Sequence, residues 1–268
     1  MPYSIDDLLY LMARLREPGS GCPWDLKQSY RSIAPSTLEE AYEVVDTIER
    51  GDYNHLREEL GDLLFQVIFY SQLGHEDERF DFAGIVDGLV QKLIRRHPHV
   101  FPEGTLESRI DDQKALPVEV KQRWETIKQQ EREAKGVRGT LDDVPLNLPA
   151  LTRAAKLQKR AAGVGFDWPA VNGPLDKVRE ETDELVEAIA EQDHEAITEE
   201  LGDLLFTVTN VARHLKIDPE AALRSANRKF ERRFGAVEAE AAAPLQELSE
   251  ETLDALWNRA KASEKSSL

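Results

Sequence analysis

The sequence predicts an all-α protein built from two tandem copies of one helical-bundle repeat, and three observations predict it. The octamer EELGDLLF stands at residues 58–65 and again, letter for letter, at 199–206. The identity runs upstream without a gap, so that about half of the positions in 39–65 agree with their counterparts in 180–206. Apolar residues recur at three- and four-residue spacing through most of the chain, and alternating β-branched runs are absent, which is the helical period and not the strand period. Such a repeat takes precedence over other readings, because each copy is one structural unit.

In chain order, Ile5–Arg16 carries the first helical pattern. GCPWD (21–25) follows as a turn in which Trp24 is expected to pack; Asp25 could instead contact a metal or a nucleotide. Ser36-Thr37-Leu38-Glu39 has the form of a capping box and is expected to start a helix over Thr37–Arg50. Gly51, in ERGDY, is the expected turn into a second helix, Tyr53–Leu73, and Phe82–Arg96 follows. The stretch 97–116, HPHVFPEGTLESRIDDQKAL, reads as a mobile loop interrupting the repeat. The Gly-, Pro- and Asp-containing stretch 134–149 reads as a linker between an N-terminal repeat, 1–133, and a C-terminal repeat, 150–268. The second half repeats the landmarks in order. GFDWP (165–169) loosely parallels GCPWD, Gln192-Asp193 is the turn, and Asp218-Pro219 starts a helix. KFERRFGAV (229–237) parallels KLIRRHPHV (92–100), a shorter alanine-rich stretch (238–246) replaces the long loop, and Trp257-x-x-x-Lys261 parallels Trp124-x-x-x-Lys128.

Composition narrows the function. The net charge of −17 argues against broad binding to a DNA or RNA backbone, which needs a basic surface. A polyanionic ligand then requires a local cation patch or a metal. One cysteine, Cys22, allows no disulfide framework and suits the reducing cytoplasm; it reads as a small buried side chain. No basic-then-apolar leader opens the sequence and no apolar run is long enough to span a membrane, so a cytoplasmic, membrane-free protein is expected.

The acids carry the chemistry. Glu40 and Glu43 are three apart and share a helix face, as do Glu59 and Asp62 on the next helix. The two pairs are equidistant from Gly51, so in an antiparallel hairpin the four carboxylates meet at one height. Glu181, Glu184, Glu200 and Asp203 repeat the geometry around Gln192-Asp193. Carboxylates brought this close repel and raise one another's pKa unless a cation sits among them, and an all-oxygen ligand set selects a hard ion: Mg²⁺ or Mn²⁺, with Ca²⁺ less suited. The plain alternative is a solvated helix surface with local partners such as Arg57. A di-iron site would need a Glu-x-x-His pair on each of two helices; Glu191-x-x-His194 has no counterpart in the first repeat and falls in the turn. Leu60, Leu63, Leu64 and Phe65 are expected to form the buried stripe holding the hairpin, and the octamer's glycine to admit a close neighbour, a helix or a nucleotide.

The pattern E-E-x-x-E followed by E-L-G-D on an α-hairpin resembles the MazG family of nucleoside triphosphate pyrophosphohydrolases, in its tandem-repeat form. The likeness covers nearly the whole chain and includes RLREPGSGCPWD, TLEEAYEV, EELGDLLFQVIFY, RRHPHVF, GVGFDW and KFERRF. The acidic motif alone is shared with other all-α pyrophosphatases. The resemblance implies an Mg²⁺-dependent cleavage of NTP to NMP and pyrophosphate, with Mn²⁺ a possible substitute. It also implies a homodimer and metal ligation by Glu40, Glu43, Glu59 and Asp62 and by Glu181, Glu184, Glu200 and Asp203. In tandem members the C-terminal repeat is the one usually regarded as active. Either Glu180 or Glu181 could accept the proton of the attacking water. Lys229, Arg232 and Arg233 form one basic edge suited to phosphate, with Lys92, Arg95 and Arg96 as N-terminal equivalents. Trp257 could stack on a base while Lys261 reaches phosphate or ribose, which would tolerate many ribo- and deoxyribonucleotides; a core or interface tryptophan is the alternative. The His97-Pro98-His99 pair reads as a loop or phosphate contact and His214 as helix packing. A catalytically inert helical module that senses nucleotide or metal is the competing function. No Gly-rich phosphate loop is present.

Overall fold

The structure, a computed structural model, describes residues 2–109, 117–134, 136 and 139–266, with the backbone alone for 117–119, 121, 122, 133, 265 and 266. Among the described residues there are helices and turns and no strand. The helices are α1 (Ile5–Leu15), α2 (Tyr30–Arg50), α3 (Tyr53–Glu76), α4 (Phe82–Arg96), α5 (Pro117–Ala134), α6 (Ala150–Gly163), α7 (Asn172–Glu191), α8 (His194–His214), α9 (Pro219–Glu240) and α10 (Glu250–Ser266). The chain divides into two compact units, Met1–Gln130 and Glu131–Leu268. Of the 97–116 stretch, residues 110–116 lie outside the described residues.

In the first unit α3 is central and packs on α1, α2 and α4. Met12, Ile33, Ile68, Phe69 and Leu73 form its core, with Tyr30, Phe65, Tyr70 and Phe82 packed around them. The start of α2 differs from the sequence expectation. Ser29, not Ser36, caps it: Ser32 N–H donates to Ser29 Oγ (3.3 Å) and Ser29 N–H to Ser32 Oγ (2.8 Å). Pro35 therefore lies inside the helix. An interior proline costs about 3 kcal/mol. The added turns bury Ile33, worth about 1.5–3 kcal/mol. They also stack Tyr30 on Tyr70 at 6.2 Å, worth about 0.5–1.5 kcal/mol, so tertiary burial overrides the local cap signal.

The GCPWD turn is tied down by an arginine that pattern reading passes over. Arg16 donates to both carboxylate oxygens of Glu76, at 2.9 and 2.6 Å, and to the main-chain carbonyl of Asp25. Asp25 is thus buried in this turn and stands outside the acid groups described below, while Trp24 is 62% exposed and does not pack as expected. Cys22 is half-buried.

In the second unit α8 packs on α6 and α7, and α9 on α6, α8 and α10. Val237, Leu256 and Ala260 form a core at the α9–α10 crossing, with Trp257 against it. Gln158 Nε2 donates to the Phe206 carbonyl at 2.7 Å, joining α6 to α8. Asp167 of GFDW accepts from Arg213 Nη1 (3.0 Å) and lies 3.1 Å from His214 Nε2. Val144 is buried, and Asp143 pairs with Arg160 at 2.9 Å, so this part of the linker stretch is packed on the second unit.

The hairpin turns fall where the repeat requires. Gly51 closes α2 in the left-handed region (φ 71°) and Gln192 closes α7 likewise (φ 58°). Asp52 and Asp193 then cap the following helices, accepting from the N–H groups of His55 and of Glu195 and Ala196. The octamer's apolar stripe is only partly inside, contrary to expectation. Phe65 packs on the core, but Leu60, Leu64 and Val67 are exposed, as are Leu201, Leu205, Phe206 and Val208. Each hairpin offers more apolar surface than its own unit covers. Nothing lies within 4 Å of where a Cβ would stand on Gly61 or Gly202, so no helix among the described residues makes the close approach expected there. No helix among the described residues is long and apolar enough to cross a membrane.

Candidate metal and nucleotide site

Equal height across each hairpin brings the acids together. Glu40 and Glu43 of α2 and Glu59 of α3 offer carboxylate oxygens that all lie within 4.8 Å of one another. Glu181 and Glu184 of α7 and Glu200 of α8 do the same. The fourth acid of each set stands outside this tight trio. Asp62 is still close enough to raise the pKa values of Glu40 and Glu59, and Asp203 that of Glu200. An aspartate is one methylene shorter than a glutamate, which sets its carboxylate back.

The electrostatics are those of crowded like charges. Burial is the largest cause pushing Glu40 up, followed by the charges of Asp62 and Glu43. Glu59 is raised by burial, then by Glu43 and Asp62, and its carboxyl is close enough to Glu43 to share a proton. Glu200 is raised by burial, then by Glu184 and Glu181. Three oxygen-donor carboxylates at this separation fit a hard divalent ion.

A raised carboxylate pKa means that the folded state holds more protons than the unfolded one. The associated stability is present below the ordinary carboxylate pKa and is lost as pH rises through the raised value. In EDTA, therefore, Glu59→Gln should melt progressively higher than the parent protein as pH goes from 4 to 7. Circular-dichroism melts over that range measure it; a gap independent of pH would mean that Glu59 bears no such repulsion.

One residue of the second cluster was readable from spacing and passed over: Lys177, with acids three, four and seven residues on. Its Nζ lies 2.8 Å from Glu180, 2.9 Å from Glu181 and 3.9 Å from Glu184. Glu180 and then Glu181 hold its ammonium well above the usual lysine range. Glu181 is itself buried; Glu180 is exposed and lies outside the trio.

The proposed phosphate and base contacts are engaged within the protein. Arg232 and Arg233 both donate to Glu264, at 2.7 and 2.8 Å, while Lys229 is exposed on the same helix. Trp257 lies 5.5 Å from Phe230, centroid to centroid, and packs on the α9–α10 core one turn before Lys261. In the first unit Lys128 Nζ covers the Trp124 ring at 4.2 Å, and His97 lies 6.1 Å from that ring and 5.6 Å from His99. Lys92, Arg95 and Arg96 lie near the C-terminal end of α4.

Two α-hairpins, each converging three glutamates at matched height, define an all-α tandem-repeat protein with a duplicated acidic centre. The profile of the MazG nucleotide pyrophosphohydrolase domain matches residues 28–101 and 174–238, one segment over each hairpin. The chain is 49% identical over 267 residues to a nucleoside triphosphate pyrophosphohydrolase of Escherichia coli strain K12, covering 97% of this chain and 98% of that protein. It is 39% identical over 259 residues to a nucleoside triphosphate pyrophosphohydrolase/pyrophosphatase MazG of Thermotoga maritima, covering 96% and 95% of the two. It is also 42% identical over 261 residues to an uncharacterized Bacillus subtilis protein, YabN, where it spans 96% of this chain and 51% of that one. The chain belongs to the MazG nucleotide pyrophosphohydrolase family.

Proposed function

We infer that this protein hydrolyses nucleoside triphosphates to the monophosphate and pyrophosphate with a divalent ion, Mg²⁺ foremost and Mn²⁺ as a substitute. The observation that carries the reading is the convergence of three glutamates on each hairpin of a chain in this family. Glu181, Glu184 and Glu200 would hold the ion in the second repeat with Asp203 beside them, and Glu40, Glu43 and Glu59 with Asp62 in the first. When bound, such an ion offsets phosphate charge and lowers the pKa of water. Glu180 suits the role of proton acceptor better than Glu181, because it lies outside the trio and need not surrender a metal contact. Lys229 is exposed on the α9 edge; Arg232, also exposed, and Arg233 would turn from Glu264 to phosphate. Trp257 is half-buried against Phe230 and the α9–α10 core; a base stacked on what ring face remains would be held whatever its identity, which favours broad base and sugar tolerance. The apolar residues left exposed on both hairpins favour a homodimer as the working form, and the net charge of −17 disfavours nucleic acid as a partner. The competing reading, a sensing module, suits the first repeat better than the second, since Lys128 and His97 already crowd Trp124.

The test is product analysis with the eight common NTPs and dNTPs, with Mg²⁺ and with EDTA. Monophosphate and pyrophosphate in equal amounts, formed only with the ion, are the expected result. Binding of nucleotide with no turnover of any of the eight would leave the sensor reading in its place.

A further inference from the structure

The two acid clusters share all four acids yet differ in a charge that stands on the same helix face as the acids. Lys177 precedes Glu181 by four residues inside α7 and contacts Glu180, Glu181 and Glu184. The residue at the corresponding offset from Glu40, inside α2, is Ser36, which carries no charge. We propose that Lys177 is a built-in counter-cation of the second cluster, which a divalent ion must displace, so that the second cluster takes up free metal more weakly than the first.

The argument is one of competition for the same oxygens. Glu181 is a member of the trio, its side chain only 5% exposed, and the ammonium at 2.9 Å supplies a charged partner for its buried carboxylate. An entering cation either breaks that contact or shares Glu181 with a positive charge a few ångströms away; both weaken binding. In the first cluster no lysine or arginine among the described residues pairs with Glu40, Glu43 or Glu59, so an entering ion meets their repulsion with only the distant His55 to offset it. Lys177 is thus a positioning residue, acting on metal through Glu181. The inference rests on reading the clusters as metal sites, and the test separates the two.

Mn²⁺ alone, with no nucleotide, is titrated into the metal-free full-length protein, and free Mn²⁺ is followed by electron paramagnetic resonance. Glu59→Gln cripples the first cluster and leaves the second to be measured; Glu200→Gln does the reverse. In the Glu59→Gln background, adding Lys177→Met should tighten Mn²⁺ binding about tenfold. In the Glu200→Gln background the same change should have no effect, and Ser36→Lys should weaken binding by a similar factor. Ser36→Lys keeps the proposal testable should Lys177→Met fail to fold. Unchanged or weaker binding at the second cluster on removing Lys177, or no effect of Ser36→Lys at the first, overturns the proposal. No Mn²⁺ bound at either cluster in the unsubstituted protein overturns the metal-site reading itself.

Discussion

Glu200→Gln is expected to lower kcat by at least about 100-fold while leaving the helical content unchanged. The substitution keeps the side chain's volume and removes one anionic oxygen donor from the Glu181–Glu184–Glu200 trio. Loss of charge there acts both on the ion and on whatever group accepts the proton, and a positioned acid or base alone contributes about 10²–10⁴-fold. Helicity should persist because Glu200 lies within α8, where glutamine is a comparable helix former, and because its crowded charge adds nothing to folding. Glu59→Gln makes the matching change in the first cluster. Steady-state kinetics of the two variants, with circular dichroism as the control, apportion the activity. A large loss in Glu200→Gln alone assigns turnover to the second repeat, and full activity in both removes these glutamates from the mechanism.

Arg16→Met is expected to destabilise the first unit by about 2–3 kcal/mol. Methionine approximates the apolar stem, but it takes the guanidinium from the Glu76 carboxylate and from the carbonyl of Asp25, leaving them only Gln72 Nε2 (2.9 Å) and Gln28 N–H (3.1 Å) as donors. Breaking a fully buried ion pair costs about 3–5 kcal/mol. Glu76 retains 33% exposure, so water recovers part of that. The pH dependence follows from sign. Arg16's hydrogen bonds hold the Glu76 carboxyl below its ordinary range, so the stability they supply is present above the unfolded carboxylate pKa and is lost as pH falls through the folded one. Urea unfolding at pH 7 and pH 3 should therefore show the difference between variant and parent shrinking at the lower pH. An equal difference at both would mean that Arg16 acts by packing over Phe69, 5.4 Å from its guanidinium, and not by charge.

The acidic centre was legible in the sequence because everything that builds it is local. Three-residue spacing sets two glutamates on one helix face. Gly51 and the Gln192-Asp193 corner set where each hairpin reverses, and equal distance from the turn sets the height. Lys177 was legible by the same spacing. Other features were not, because they depend on partners far along the chain. Ser36 carries a sound local cap signal, yet Ile33 and Tyr30 find Met12 and Tyr70 to pack against, and the helix starts at Tyr30 instead. Arg16 and Glu76 are sixty residues apart, and no pattern within either helix points to the other.

The sequence alone thus determined the helical class, the duplication, the hairpin turns and the set of acids that meet across them, since helical period and turn chemistry act over a few residues. Only the tertiary structure decided which apolar face of each hairpin is covered. It also withdrew Arg232, Arg233 and Trp257 into contacts of their own. An amphipathic pattern states that a face seeks cover, and a charge that it seeks a partner; which neighbour answers depends on how the helices pack.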